Sequence, residues 1–127
     1  MSNRRVVITG LGCITSLGET AESLFDAVCQ AKSGISTIES FDTSLYPVKF
    51  GGEIKQFEPG KYIDVHEANR MDRFTQMAFA SSVVAVKDSG IDFEKEDKTR
   101  VAVIVGTGIG GIKEIEDQHV RLLDKGP

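Results

Sequence analysis

The sequence predicts a layered α/β domain. Two short apolar runs, at residues 6–8 and 101–105, each lead into a glycine-rich turn. A helical pattern follows each turn, and an alternating strand pattern lies between the two runs. Strands that alternate with helices along a chain are typical of layered α/β folds. At 127 residues the chain has the length of one domain.

The first half of the chain is predicted to contain two strands around one helix. The run 6–8 forms a strand, and Thr20 caps a helix that extends from about residue 21 to 32. Gly34 is expected to end this helix at the position that favours glycine. Residues 35–47 are predicted to be a loop. Residues 48–57 alternate between apolar and charged side chains, which indicates a half-buried strand.

The second half is predicted to contain a long helix, a buried strand and a last helix. Asp64 and Glu67 resemble a capping box that opens one helix extending to about Ser89, with a stop at Gly90. The continuous apolar run 101–105 is typical of a strand that is buried on both faces. The last helix is expected to turn five residues inward: Ile112, Ile115, His119, Leu122 and Leu123.

Bulk properties narrow the functional classes. The formal net charge of −4 argues against nucleic-acid binding, which needs a concentrated basic face. No apolar run approaches the roughly 20 residues that span a bilayer, and the N-terminus lacks the features of a signal peptide. A cytoplasmic protein is therefore expected. Cys13 and Cys29 fit no metal-binding spacing and are predicted to be free thiols.

The glycine-rich turn at 106–111 admits three interpretations. Gly106, Gly108 and Gly111 formally match the dinucleotide-binding fingerprint, which also lies between a strand and a helix. That motif requires an acidic residue about 20 positions further on, at the end of a second strand, whereas here a helical pattern occupies the residues up to 127. A tight turn between packed elements is the favoured interpretation. A turn that lines a buried pocket through Ile109 is the third.

The remaining chemistry-bearing residues form no recognisable catalytic set. Cys13 has no histidine nearby to act as a base, and His119 lies on an apolar stripe, as a packing residue does. His66 lies close to Arg70, Arg73 and Lys61 in the sequence. This basic cluster is either an ordinary solvated helix face or a landing site for an acidic partner.

Taken together, several segments resemble one family, the β-ketoacyl-[acyl-carrier-protein] synthases of the type II elongating kind. They cover the chain in register, and they are RRVVITGLG (4–12), SGIS (33–36), FDTS (41–44), RMDRFTQ (70–76), DSG (88–90), GTGIGG (106–111) and KGP (125–127). The resemblance implies part of a thiolase-like fold, with layers of helices around a mixed sheet, and a homodimeric enzyme. It also implies that no redox cofactor is used.

The resemblance further implies an acyltransferase that elongates fatty acids. In this family a cysteine accepts the acyl chain as a thioester, malonyl-carrier protein loses carbon dioxide, and the resulting carbanion attacks the thioester. Residues 1–127 resemble only the N-terminal segment of the first thiolase-like half. The family's nucleophilic cysteine and two catalytic histidines belong to later segments, so we expect no catalytic residue here and no activity from residues 1–127 alone.

Two kinds of site residue follow from the resemblance. Ile109 matches the position where type II enzymes place an isoleucine in the acyl pocket. His66, Asn69 and Arg70 match the positions that dock acyl carrier protein. Arg70 keeps the family's positive charge, whereas His66 and Asn69 depart from the basic residues common there, so docking is expected to be weaker or to depend on pH through His66. The alternatives are a stand-alone carrier-protein-binding module or a nucleotide-binding α/β domain.

Overall fold

The structure is a computed structural model that describes residues 4–127. The chain divides into two compact units. Within the described residues, unit 1 comprises residues 4–58 and 80–91, and unit 2 comprises residues 59–79 and 92–127.

Helices make up most of the regular secondary structure in the described residues. In chain order the helices and strands are α1 (Ala21–Cys29), β1 (Ser36–Thr37), β2 (Phe50–Gly51), α2 (Val65–Ala68), α3 (Arg73–Ser89) and α4 (Ile112–Lys125). Two short 3₁₀ helices, Pro59–Lys61 and Lys98–Arg100, precede α2 and follow α3.

Helix α1 begins where the sequence predicts and ends earlier. The Thr20 side chain accepts a hydrogen bond from Ser23 N at 3.1 Å, which completes a capping box and confirms the predicted cap. Ala31, rather than Gly34, takes the left-handed conformation after the helix, with a φ of 53°. Lys32 N then donates to Ala27 O at 2.9 Å, as in a Schellman motif. The prediction that Gly34 ends this helix is therefore wrong.

The sheet in the described residues is a single two-stranded antiparallel ladder. Ser36 lies opposite Gly51, and Thr37 lies opposite Phe50. The predicted loop 35–47 thus contributes a strand, and the predicted strand 48–57 is regular over two residues only. Backbone hydrogen bonds continue for one step beyond the ladder, since Ile38 N donates to Lys49 O at 3.1 Å.

The strands expected at residues 6–8 and 101–105 do not form. Val6 and Ile8 are 88% and 82% exposed, and Val103 and Ile104 are 85% and 93% exposed. A strand of this apolar type is stable only when neighbouring strands pair with it and other elements cover its faces. The described part of the chain supplies neither for these segments, which have no regular secondary structure and no ladder partners.

The expected single helix from residue 64 to Ser89 is interrupted. It forms as α2 and α3, separated at residues 69–72. The Gln76 side chain donates to Ala68 O at 2.8 Å and to Met71 O at 3.1 Å, and it thereby satisfies carbonyls that a continuous helix would bond through its backbone. Side-chain hydrogen bonds of this kind compete with the helical ladder and stabilise the break.

In unit 1 the glycine turn at 9–12 lies against the second half of α3. A Cβ built on Gly10 would lie 2.7 Å from Ser89 N, and one on Gly12 would lie 2.7 Å from Ala85 N. Only residues without a side chain allow this close backbone approach. Leu11 N donates to Asp88 Oδ2 at 2.8 Å and ties the turn to the DSG segment.

Helix α4 carries a segregated apolar stripe, but the stripe is not buried. Ile112, Ile115, Leu122 and Leu123 are 51%, 63%, 50% and 72% exposed, and His119 is exposed as well. The prediction that these five residues point inward is wrong for this chain, because no other described element packs against the helix closely enough to cover them. The most deeply buried apolar residues are instead Ala27, Phe57, Ile63, Ala68 and Ala80.

Candidate functional site

The segment around α2 in unit 2 presents polar side chains on a short anchored helix. Asp64 caps α2, and its carboxylate accepts hydrogen bonds from His66 N at 2.8 Å and Glu67 N at 3.4 Å. Ile63 and Ala68 are 7% and 4% exposed, so they fasten the segment to its unit. The cap predicted from the sequence is confirmed, and it fixes the direction in which the helix begins.

The three residues matched to carrier-protein docking lie on this segment. His66 is within α2, Asn69 is its C-terminal cap and Arg70 follows, and all three are exposed. The Arg70 guanidinium lies 3.9 Å from Glu67 Oε1, and its side chain is 80% exposed. An exposed pair at that distance contributes little energy, so the guanidinium remains available to an incoming anion.

The glycine-rich turn of unit 2 brings Ile109 to an exposed tip. Gly110 has a φ of 79°, which a residue with a side chain rarely adopts. Gly110 N donates to Thr107 Oγ1 at 3.0 Å, and Gly111 then begins α4 as its N-terminal cap. Ile109 is 71% exposed. An apolar side chain held at the tip of a tight turn can contact a hydrocarbon once other surfaces enclose it.

Two residues to which the sequence assigned no role at this site support the turn. A Cβ built on Gly111 would lie 2.9 Å from Asp72 Cγ, so the Asp72 carboxylate lies directly against Gly111. A Cβ on Gly110 would lie 3.7 Å from Phe74 Cζ, which is ordinary van der Waals contact. Both residues belong to the family motif RMDRFTQ. Their contacts with Gly111 and Gly110, more than thirty positions further along the chain, could not be predicted from any local sequence pattern.

The position of Asp72 also bears on the dinucleotide interpretation. A dinucleotide-binding turn presents its helix N-terminus to a pyrophosphate. Here the carboxylate of Asp72 occupies the space beside Gly111 at the start of α4. A negative charge at that point would repel a pyrophosphate. The geometry therefore disfavours nucleotide binding at this turn.

The other chemistry-bearing residues do not form a reactive centre in the described part of the chain. Cys13 is half-buried and Cys29 is exposed at the end of α1, and both are free thiols as predicted. His119 is exposed on α4, which contradicts its prediction as a packing residue. Among residues 4–127 no group of three or more His, Cys, Asp or Glu residues is placed to hold a metal ion. None of the described helices is long and apolar enough to cross a membrane.

Comparison with known proteins defines the class. The family described as the N-terminal domain of β-ketoacyl synthases matches residues 3–126. The chain belongs to this family, and the resemblance found in the sequence is confirmed.

Individual relatives make the match more specific. The 3-oxoacyl-[acyl-carrier-protein] synthase 2 of Vibrio cholerae is 41% identical over 127 residues, which are 100% of this chain and 31% of the relative. The synthase 2 of Synechocystis is also 41% identical over 127 residues, again 100% of this chain and 30% of the relative. That of Staphylococcus aureus is 41% identical over 125 residues, which are 98% of this chain and 30% of the relative. The chain thus spans about 30% of the length of these relatives.

Solved structures agree on the fold. The ishigamide ketosynthase/chain length factor superposes with a TM-score of 0.84 at 35% identity, covering 97% of this chain and 30% of that chain. A second match is to a chain in a solved complex, described as a type II PKS acyl-carrier protein in complex with its ketosynthase bound to the hexaketide. The TM-score is 0.72 at 28% identity, over 98% of this chain and 32% of that chain. The predicted fold class, the N-terminal part of a thiolase-like fold, is confirmed.

Proposed function

We propose that the protein containing this chain is a 3-oxoacyl-[acyl-carrier-protein] synthase, an acyltransferase of fatty acid elongation. The observation that carries the proposal is the 41% identity to three synthases of this kind over at least 98% of the chain. In the proposed reaction an enzyme cysteine holds the acyl group as a thioester. Decarboxylation of malonyl-carrier protein generates the carbanion that attacks this thioester and releases the cysteine thiolate. The complete protein is proposed to be a cytoplasmic homodimer.

Residues 1–127 are proposed to be the N-terminal segment of the first thiolase-like half and to supply no catalytic residue. Covalent catalysis needs a nucleophile, its activating base and an oxyanion site together. We expect purified residues 1–127 to form no 3-oxoacyl product from malonyl- and acyl-carrier protein. Measurable turnover by this chain would refute that part of the proposal.

We assign Ile109 to the wall of the acyl pocket. Its exposed apolar side chain and its place in a tight glycine turn support the assignment. A hydrocarbon tail binds by removing apolar surface from water, so the wall needs shape and apolarity rather than charge.

We assign His66, Asn69 and Arg70 to the docking of acyl carrier protein, the acidic partner of the family. All three are exposed on one anchored segment, and Arg70 supplies a guanidinium that only a weak pair with Glu67 engages. Asn69 is uncharged, so the face attracts an acidic helix less strongly than a fully basic face would.

The docking assignment is tested with Arg70→Glu and a matched control. Arg121→Glu makes the same charge change on an exposed residue of α4. Titration of acyl carrier protein should show about tenfold weaker binding for Arg70→Glu and little change for Arg121→Glu, because a charge reversal within a contact acts locally. The difference in carrier-protein affinity between the two variants should decrease as salt is added. Equal affinities of the two variants would rule out Arg70 as a docking residue.

A second candidate is a carrier-protein-binding module without catalysis. The observation that favours it is that the three residues assigned to docking lie on one exposed segment, which has its own buried anchors, Ile63 and Ala68. The full gene product separates the two candidates. Carrier-protein binding together with elongation of an acyl chain supports the synthase, whereas binding without product supports the module. A titration with NAD(P) that gives neither heat nor a shift in Tm would eliminate nucleotide binding.

A further inference from the structure

The segment 70–76 of unit 2 contacts two regions to which separate roles are proposed above. One is the docking segment, which we define as residues 64–70. The other is the pocket turn, which we define as residues 107–111. Both regions and the connecting segment belong to unit 2, so their contacts can be compared directly.

On the docking side, the side chain of Gln76 fixes the end of α2. Its Nε2 donates to Ala68 O at 2.8 Å and to Met71 O at 3.1 Å. Ala68 is only 4% exposed, so one of the two acceptors lies in the packed interior of unit 2. The first turn of α3 therefore holds the docking segment in place.

On the pocket side, the first turn of α3 and Asp72, the residue just before it, support the glycines. Asp72 lies against Gly111, and its other carboxylate oxygen accepts a hydrogen bond from Thr75 Oγ1 at 3.1 Å. Phe74 lies against Gly110 through its ring edge, at 3.7 and 3.8 Å from the site of a Cβ. These two glycines immediately follow Ile109, so the position of its backbone depends on both contacts.

We propose that Asp72 and Phe74 are positioning residues that hold the pocket turn, and with it Ile109, in a fixed place relative to the docking segment. The functional role of this positioning rests on the proposed function, because that proposal assigns Ile109 to the acyl pocket and α2 to carrier-protein docking. Carrier-protein docking and the acyl-pocket wall then belong to one rigid part of unit 2. Binding of a carrier protein at Arg70 then changes the environment of Ile109 through the contacts of α3 rather than through solvent.

The test is made on the full gene product containing residues 1–127, with ¹⁵N relaxation at the amide of Ile109 and a titration of holo acyl carrier protein. In the parent protein we expect an order parameter near 0.85, as in rigid backbone. Phe74→Leu and Asp72→Ala should each lower it to below about 0.6, the range of flexible backbone. Phe79→Leu is the matched control, since it makes the same change on the same helix at a residue that is 44% exposed, and it should leave Ile109 rigid.

The carrier protein supplies the second readout. Its binding should shift the Ile109 amide resonance in the parent protein, and Phe74→Leu should abolish that shift while the Kd changes by no more than about twofold, since the docking side chains are intact. An Ile109 amide that is already flexible in the parent, or that stays rigid in both Asp72→Ala and Phe74→Leu, would overturn the proposal.

The outcomes separate this inference from the proposed function. If the carrier protein does not bind the parent protein, the docking assignment fails, and the order parameters still decide whether Asp72 and Phe74 hold the turn. If Phe74→Leu does not fold, Asp72→Ala alone decides the question. Binding without any shift at Ile109 would contradict the link while leaving the docking assignment intact.

Discussion

The carboxylate of Asp72 fills the space in which a side chain on Gly111 would lie. A Cβ built on Gly111 would be 2.9 Å from Asp72 Cγ and closer still to Oδ2. Gly111 itself has a φ of −83° and a ψ of 62°, a conformation that other residues also adopt. The requirement for glycine at this position is therefore set by its neighbour and not by its own backbone.

We expect Gly111→Ala to destabilise the protein by about 1–3 kcal/mol, because overpacking forces the Asp72 side chain to move. Gly108→Ala is the matched control, since nothing lies within 4 Å of the added methyl group. Urea unfolding should show a lower midpoint for Gly111→Ala alone.

The same clash predicts a rescue. In an Asp72→Ala background the added methyl group no longer meets a carboxylate. Gly111→Ala should therefore lower the free energy of unfolding by less than half as much in that background. A double-mutant cycle measures this coupling. Strict additivity of the two substitutions would show that Asp72 does not restrict position 111.

Ala31→Gly should stabilise the protein by about 0.5–1 kcal/mol. Ala31 has a φ of 53° at the position after α1 where glycine is preferred. The extra flexibility of glycine in the unfolded chain offsets part of the gain. Equilibrium unfolding in urea should give a higher midpoint with an unchanged m-value.

Ala78→Gly, within α3, provides the opposite control. It should lose at least about 1 kcal/mol of unfolding free energy, through helix propensity and the loss of a half-buried methyl group. A loss of stability in Ala31→Gly would show that the Schellman geometry is not maintained in solution.

Replacement of Gln76 should destabilise the junction of α2 and α3. Gln76→Met keeps the length of the side chain and removes both donated hydrogen bonds. Ala68 O then keeps only the bond from Met71 N, and Met71 O loses its side-chain donor. The expected loss is about 1–3 kcal/mol in the free energy of unfolding. Gln118→Met is the control, since Gln118 bonds only a side chain, Glu114, on the exposed face of α4. Equal losses in the two variants would contradict the role of Gln76.

Glu53 should make the stability of the β1–β2 hairpin depend on pH. Hydrogen bonds from Ser40 and from Glu39 N hold the pKa of the Glu53 carboxyl below its ordinary value. A lowered pKa in the folded state stabilises the fold above the unfolded pKa and loses that contribution as the pH falls through the folded pKa. Glu53→Gln should therefore be destabilising at neutral pH, and the difference should fade as the pH drops below about 4.

Thermal unfolding from pH 7 to pH 3 measures this dependence. Glu96→Gln, at an exposed glutamate in the link between α3 and α4, serves as the control and should be nearly neutral throughout. A Glu53→Gln deficit that stays constant across the range would exclude the carboxylate charge as its cause.

Local signals in the sequence predicted much of the helical structure. Thr20 and Asp64 cap helices as expected, because capping depends on a side chain and the backbone two or three residues away. The start of α4 directly after Gly111 was also predictable from the change between a glycine turn and a helical period. The family motifs, spread in register along the chain, identified the class that the comparisons confirm.

The main failures have two physical origins. A buried strand forms only where other strands and helices cover it. The run 101–105 has the apolar sequence of a buried strand, but the described chain provides no such partners for it. The same reasoning applies to the exposed stripe of α4. The break between α2 and α3 was missed because the Gln76 amide competes with the backbone for carbonyls eight and five residues away, and no helical period encodes that competition.

For the site, the amino-acid sequence by itself determined which residues are available: the isoleucine in a glycine turn, the short polar segment at 64–70, and the motif between them. Only the tertiary structure decided that Asp72 and Phe74 lie beneath Gly111 and Gly110. Contacts between residues far apart in the chain depend on how whole elements pack, and packing is chosen by the combined free energy of many side chains rather than by any local pattern.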